Sequence, residues 1–130
     1  MQYNLQVFYE DTDAGGIVYH ANYFKFIERA RSLVLSNNGI DQLELLEKDK
    51  LAFVVVNISG NYYKPAKLGD SLIVQTRLQK LGKFSINLEQ EIFNGSASVF
   101  LGKVRLACVN IDSKKPVEIP EKIKQVFKKY

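Results

Sequence analysis

The chain has one cysteine, Cys108, in 130 residues, which excludes an internal disulfide and suits a reducing compartment. It has one histidine, His20, and neither a His-x-x-x-His motif nor a cysteine pair. A transition metal needs several such ligands close together, so a metal site is not expected. No stretch of eighteen apolar residues occurs, which excludes a transmembrane helix. The start, Met1-Gln2-Tyr3-Asn4, lacks the basic residues and apolar core of a secretion signal. A cytoplasmic protein is expected. No internal repeat, linker or low-complexity tract interrupts the chain, so a single domain over residues 1–130 is expected.

Apolar residues make up 46% and charged residues 25%, ordinary values for a globular chain that buries a core without metal or disulfide. The net charge of +4 is uneven. Residues 1–50 carry five Lys/Arg against eight Asp/Glu, a net of −3, and residues 51–130 carry thirteen against six, a net of +7. A basic second half can meet a phosphate-bearing ligand, a nucleic acid or an anionic surface, or it can simply be solvated. Nucleic acid is disfavoured, because the strands hold no aromatic-plus-basic recognition motif and the acidic loop at residues 10–13 repels phosphate.

The hydrophobic pattern predicts the elements. Tyr3, Leu5, Val7 and Tyr9 alternate with more polar neighbours, as in a strand over 2–9. From Tyr23 the apolar positions Phe26, Ile27, Ala30, Leu33 and Val34 fall at helical spacing, with Asn22 a candidate N-cap and Asn38-Gly39 a candidate stop. A short helical piece is expected within 41–48. The near-continuous apolar run 51–58 reads as a strand buried on both faces and continuing toward Lys64, with Gly60 a candidate bulge. A turn at 65–70, alternation over 71–81, a turn at Gly82-Lys83, alternation over 84–93 and Asn94-Gly95 predict hairpins leading to a long last strand, 97–111. Pro120 opens a closing helix marked by Ile123, Val126, Phe127 and Tyr130. The consequence is an α+β domain in which a curled antiparallel sheet wraps the one long helix.

The chemistry concentrates between Tyr9 and Tyr23. This stretch holds the only histidine, the carboxylates Glu10, Asp11 and Asp13, and the pair Gly15-Gly16, immediately before the helix. A calcium loop fails, because its fifth and twelfth positions counted from Asp11 are Gly15 and Asn22. Cys108 and His20 could form a nucleophile pair, but Leu106-Ala107-Cys108-Val109 is a strand-like run where a small apolar residue is expected. A Ser–His–Asp triad lacks its nucleophile elbow. Asp11 reads as a turn former. What remains is a carboxylate beside a helix N-terminus. That pairing suits acyl transfer: the carboxylate attacks a carbonyl or activates a water, and helix-terminal N–H groups hold the oxyanion.

The pattern Tyr9-x-Asp11-Thr12-Asp13-x-x-Gly16-x-Val18-Tyr19-His20-x-x-Tyr23, followed by Phe26-x-Glu28-x-Ala30-Arg31, closely resembles the YbgC-like acyl-CoA thioesterases of the 4-hydroxybenzoyl-CoA thioesterase family. The resemblance extends through Pro65-Ala66 and Leu68-Gly69-Asp70 to the closing helix. It implies a hotdog fold, a long helix wrapped by a five-stranded antiparallel sheet, and hydrolysis of acyl-CoA without a cofactor. By matched position, Asp13 is the nucleophile or general base, and His20 lies at the helix start where a backbone N–H polarises the thioester. Tyr9 assists, and Gly16, Val18 and Tyr19 line the substrate. In the hydroxybenzoyl-CoA enzymes the position of His20 is not histidine, which favours the YbgC-like side. A basic hairpin meets the coenzyme A phosphates in that branch; Lys83 matches one basic position, whereas Leu81 and Gly82 depart from the others. The resemblance also implies a homodimer or homotetramer with sites at the dimer interface. The alternative is a non-catalytic module that binds acyl-CoA or acyl carrier protein and recruits lipid-synthesis enzymes near the inner membrane.

Overall fold

The stripe Tyr23, Phe26, Ile27, Ala30, Val34 and Leu35 becomes the buried face of α1 (Asn22–Ser36) in the computed structural model, which describes residues 1–130. Gly39 ends the helix. At φ 77° it adopts the left-handed conformation that lets Ile40 N–H return to the Leu35 carbonyl at 3.0 Å. The start differs from expectation. Asn22 is the first helical residue rather than the cap, and its Nδ2 donates to the Asp11 carbonyl at 2.9 Å. Its side chain ties helix to loop instead of capping. Asp41 caps the next piece, α2 (Gln42–Glu44), by accepting from Leu43 N–H at 2.9 Å; a π turn, Leu45–Asp49, follows.

Five strands form one antiparallel sheet in the order β1-β3-β4-β5-β2: β1 (Gln2–Gln6), β2 (Leu51–Tyr62), β3 (Ser71–Leu81), β4 (Ser85–Asn94) and β5 (Ala97–Asn110). A third helix, α3 (Glu121–Phe127), buries Ile123, Val126 and Phe127 against the end of the sheet. The sheet wraps α1 in the hotdog arrangement. No helix is long and apolar enough to cross a membrane.

Several sequence expectations are corrected. The step from β2 to β3 is not a hairpin: β2 pairs with β5, and the chain crosses from that edge to lay β3 between β1 and β4. The β2 strand is therefore an edge, not a strand buried on both faces, and Val54, Val55, Val56 and Ile58 are 39–53% exposed. A run of β-branched residues signals a strand but does not say what lies on its faces. The irregularity in β2 falls between Val55 and Asn57 rather than at Gly60. Gly60 serves close packing, since a Cβ there would lie 2.7 Å from the Phe100 ring. The first strand ends at Gln6, because the Asp11 carboxylate takes Phe8 N–H at 2.9 Å and curls Tyr9–Asp11 into a 3₁₀ turn. Phe84 lies outside β4 and is 44% exposed.

The core divides into two clusters along α1. Val7, Val18, Tyr23, Phe26, Ala30, Ala66 and Phe100 belong to the cluster beside the Tyr9–Tyr23 loop. Val34, Leu35, Ile86, Cys108, Ile119 and Phe127 belong to the other. Gln90, fully buried beneath the helix, donates through Nε2 to the Ile27 carbonyl at 2.7 Å and to Thr76 Oγ1 at 3.0 Å. That polar contact pins the helix to the middle of the sheet.

Candidate active site

Asp11 and Asp13 have different work. Asp11 accepts Phe8 N–H at its carboxylate, while its carbonyl accepts from Tyr19 N–H at 2.9 Å and from Asn22 Nδ2 at 2.9 Å. Its role in holding the turn agrees with the sequence reading. Asp13 is exposed. Its Oδ1 accepts Gly15 N–H at 2.8 Å, and its Oδ2 accepts nothing from the protein. Its backbone closes a tight loop: Asp13 N–H donates to Ile17 at 2.9 Å, Gly16 N–H donates back to Asp13 at 3.1 Å, and Gly16 turns at φ 77°. This geometry presents one carboxylate oxygen outward on a braced backbone.

The brace comes from the turn between β2 and β3. Val18 N–H donates to Ala66 at 2.9 Å, Leu68 N–H donates to Gly16 at 3.2 Å, and Ile17 bridges Lys67. Ala66 N–H in turn donates to the Tyr23 hydroxyl at 3.2 Å. The sequence marks 65–70 only as a turn; its clamping of the loop depends on a contact some fifty residues away in the chain.

His20 stands exposed just before α1, its ring 4.5 Å from that of Tyr19. The backbone N–H groups of His20 and Ala21 make no hydrogen bond within the protein. They lie at the positive end of the helix dipole, where orphan donors are available to an anion. The carbonyl of His20 accepts a 2.7 Å hydrogen bond from the Tyr62 hydroxyl. Burial pushes the Tyr62 phenol up, so it remains a donor. Tyr62, Tyr23 and Phe100 pack ring to ring at centroid distances of 5.1–5.5 Å. A hollow of about 230 Å³ opens here between Ile17, Val18, His20, Tyr23, Tyr62 and Pro65. A larger groove of about 740 Å³ runs along the outer face of α1 by Arg29, Ser36 and Leu43, and none of the loop residues line it.

The other residues singled out from sequence divide. Val18 is buried and lines the hollow, whereas Tyr19 is half exposed and does not line it. Tyr9 is 82% exposed and its hydroxyl makes no hydrogen bond within the protein; its carbonyl accepts a bond from Thr12 Oγ1 at 2.8 Å. Lys83 is not brought to the loop of its own chain. It sits at the β3–β4 turn with its ammonium 5.5 Å over the Phe84 ring, and the loop packs at the start of β3. The eleven residues of β3 between them span roughly 30 Å. Cys108 is fully buried in the cluster remote from His20, and burial pushes its thiol up, so it offers no thiolate nucleophile. Tyr62 was missed by sequence reading. Its signal was the pair Tyr62-Tyr63 at a strand end, where large aromatics remain half exposed.

Residues 7–127 match the thioesterase-like superfamily. The chain is 41% identical over 123 residues to the acyl-CoA thioesterase YbgC of Haemophilus influenzae, covering 95% of this chain and 90% of that protein. It is 38% identical over 125 residues to the acyl-CoA thioester hydrolase YbgC of Escherichia coli O6:H1, covering 95% and 92%. The crystal structure of a probable thioesterase from Bartonella henselae superposes with a TM-score of 0.87 at 34% identity, over 92% of this chain and 98% of that one. The chain therefore belongs to the thioesterase-like superfamily and, within it, to the YbgC acyl-CoA thioesterases.

Proposed function

We propose that this chain hydrolyses acyl-CoA to a free acid and coenzyme A, with Asp13 as the reacting carboxylate. The observation that carries the reading is the pairing, on one braced loop, of an uncommitted Asp13 Oδ2 with the uncommitted N–H groups of His20 and Ala21. In a general-base route Asp13 takes a proton from water, whose oxygen attacks the thioester carbon; the C–S bond breaks and the thiolate leaves as coenzyme A. In a nucleophilic route an Asp13 oxygen attacks, the thiolate leaves, and water cleaves the resulting anhydride to return the carboxylate. Either route builds negative charge on the carbonyl oxygen, which the helix-start N–H groups are aimed to hold. Tyr62 fixes the His20 peptide in that orientation.

The working unit in this reading is a dimer. The β2 edge exposes Val54, Val55, Val56 and Ile58, a surface suited to pairing with a second β2. Antiparallel pairing across a two-fold axis reverses the second sheet end for end. The Lys83 turn of one chain then comes to the end of the assembly that carries the Asp13 loop of the other, which is how Lys83 could meet the phosphates of a partner's acyl-CoA.

The test is thiol release from short, long and aromatic acyl-CoAs by the native chain and by Asp13→Asn. Hydrolysis that falls about 10²-fold or more in the variant supports both enzyme and residue. Turnover that survives moves the chemistry to another group. Binding without turnover on any thioester makes the chain a carrier module.

A further inference from the structure

The outer face of the sheet, turned away from α1, carries charge in an ordered way. Ladder register places Lys80, Asn87, Arg105 and Asn57 in one row across β3, β4, β5 and β2. The adjacent row is Arg77, Glu89, Lys103 and Ser59. Directly paired residues in antiparallel strands share a face, and alternation with the buried Ile86 and Leu88 puts both rows outward.

The two ends of this face are neutralised differently. Arg77 is bonded to Glu89 and, at 3.2 Å, to Glu91. Glu89 accepts from Arg77 through one oxygen and from Gln79 at 3.0 Å through the other, and it forms no ion pair with Lys103 across the ladder. Lys80, Lys103 and Arg105 form no ion pair and no hydrogen bond through their side chains. They border a hollow of about 450 Å³ whose lining contains no carboxylate. At its floor the Asn87 Oδ1 is buried and has no hydrogen-bond partner. An unmet buried acceptor is costly, and cations gathered around one hollow without a counter-ion repel one another. Both costs are lifted together if Arg105 turns inward, donates to Asn87, and shares an anion with the two lysines.

We propose that this hollow is an anion site, separate from the thioester pocket, that binds a phosphate group through Lys80, Lys103 and Arg105 with Asn87 orienting the guanidinium. Arginine offers paired N–H donors to phosphate oxygens, and the lysines add charge. The hollow has room for more than one phosphate group, so it admits a phosphate carried either on a free metabolite or on a lipid headgroup.

Isothermal titration of the whole protein with inorganic pyrophosphate at low ionic strength tests the site. Saturable binding that weakens about tenfold or more in Lys103→Gln/Arg105→Gln, and is unchanged in Lys128→Gln/Lys129→Gln at the chain end, supports it. An unchanged melting temperature in Lys103→Gln/Arg105→Gln excludes a folding defect as the cause. No saturable binding, or equal affinity in the first pair of variants, overturns it. Co-sedimentation with phosphatidylglycerol vesicles but not phosphatidylcholine vesicles, lost in the same variant, assigns the phosphate to a headgroup; pyrophosphate binding without vesicle binding assigns it to a free ligand. The variant should hydrolyse acyl-CoA with unchanged KM, and a raised KM would merge the hollow with the substrate site and end its separate standing.

Discussion

The hydroxyl of Tyr62, at the end of β2, donates to the carbonyl oxygen of His20 across 2.7 Å, joining the edge strand to the start of α1. The peptide that this bond steadies carries the Ala21 N–H, one of the donors expected to hold an oxyanion. Tyr62→Phe removes the bond while keeping the ring stack with Tyr23 and Phe100. Losing one such bond is worth about 1 kcal/mol. The expected result is a fall in kcat of about three- to tenfold with little change in KM, read from steady-state hydrolysis of a good acyl-CoA.

Asp11 and Asp13 should separate cleanly. Asp11→Ala loses the carboxylate that closes the Tyr9–Asp11 turn and should lower stability by about 1 kcal/mol. Asp13→Asn keeps the Oδ1 acceptor for Gly15 N–H and should leave the melting temperature nearly unchanged while kcat falls about 10²-fold or more. Thermal melts beside kinetics on both variants decide it.

Gly60 should tolerate no side chain. A Cβ there would sit 2.7 Å from two Phe100 ring atoms and 3.2 Å from Phe24. Gly60→Val should cost about 1–3 kcal/mol by overpacking, seen as a lower denaturant midpoint with unchanged slope.

The Cys108 thiol gives stability a pH dependence of known sign. Burial raises its pKa in the folded state. Its contribution is whole below the unfolded thiol's pKa and is lost as pH rises through the folded value, because only the unfolded chain ionises freely in between. Unfolding free energy should decline as pH rises above the ordinary thiol value of about 8.5 that the unfolded chain shows, and Cys108→Ala should lessen that decline. Alkylating reagents should leave the native thiol unmodified and hydrolysis intact.

The exposed β2 edge should govern assembly. Val55→Lys introduces a charge on the exposed edge that the proposed dimer would pair. Sedimentation velocity should show a shift to monomer, accompanied by loss of hydrolysis where both chains build the site. A monomeric variant with full activity would separate assembly from catalysis.

Much of the fold was legible because its signals are local. The α1 stripe, the turn at Gly39, the alternation of β3 and the Asn94-Gly95 hairpin each depend on residues a few positions apart. Of the candidate site, Asp13 and His20 were legible as chemistry on a loop beside a helix. Tyr62 was not, because its partner is 42 residues away. The position of Lys83 in the fold was not legible either: nothing in a hairpin's sequence says which end of the sheet it will occupy.

The sequence by itself determined where helices and strands form, that a carboxylate loop precedes the long helix, and, through residues 9–31, the family. Periodicity and turn chemistry act over short chain distances and are written directly in residue order. Only the tertiary structure decided that β2 pairs with β5 and becomes an exposed edge, that the turn at 65–70 clamps the Asp13 loop, and that three unpaired cations share one outer hollow. Those outcomes depend on which distant segments meet as the sheet closes around α1, and strand pairing across a crossover leaves no periodic trace in the chain.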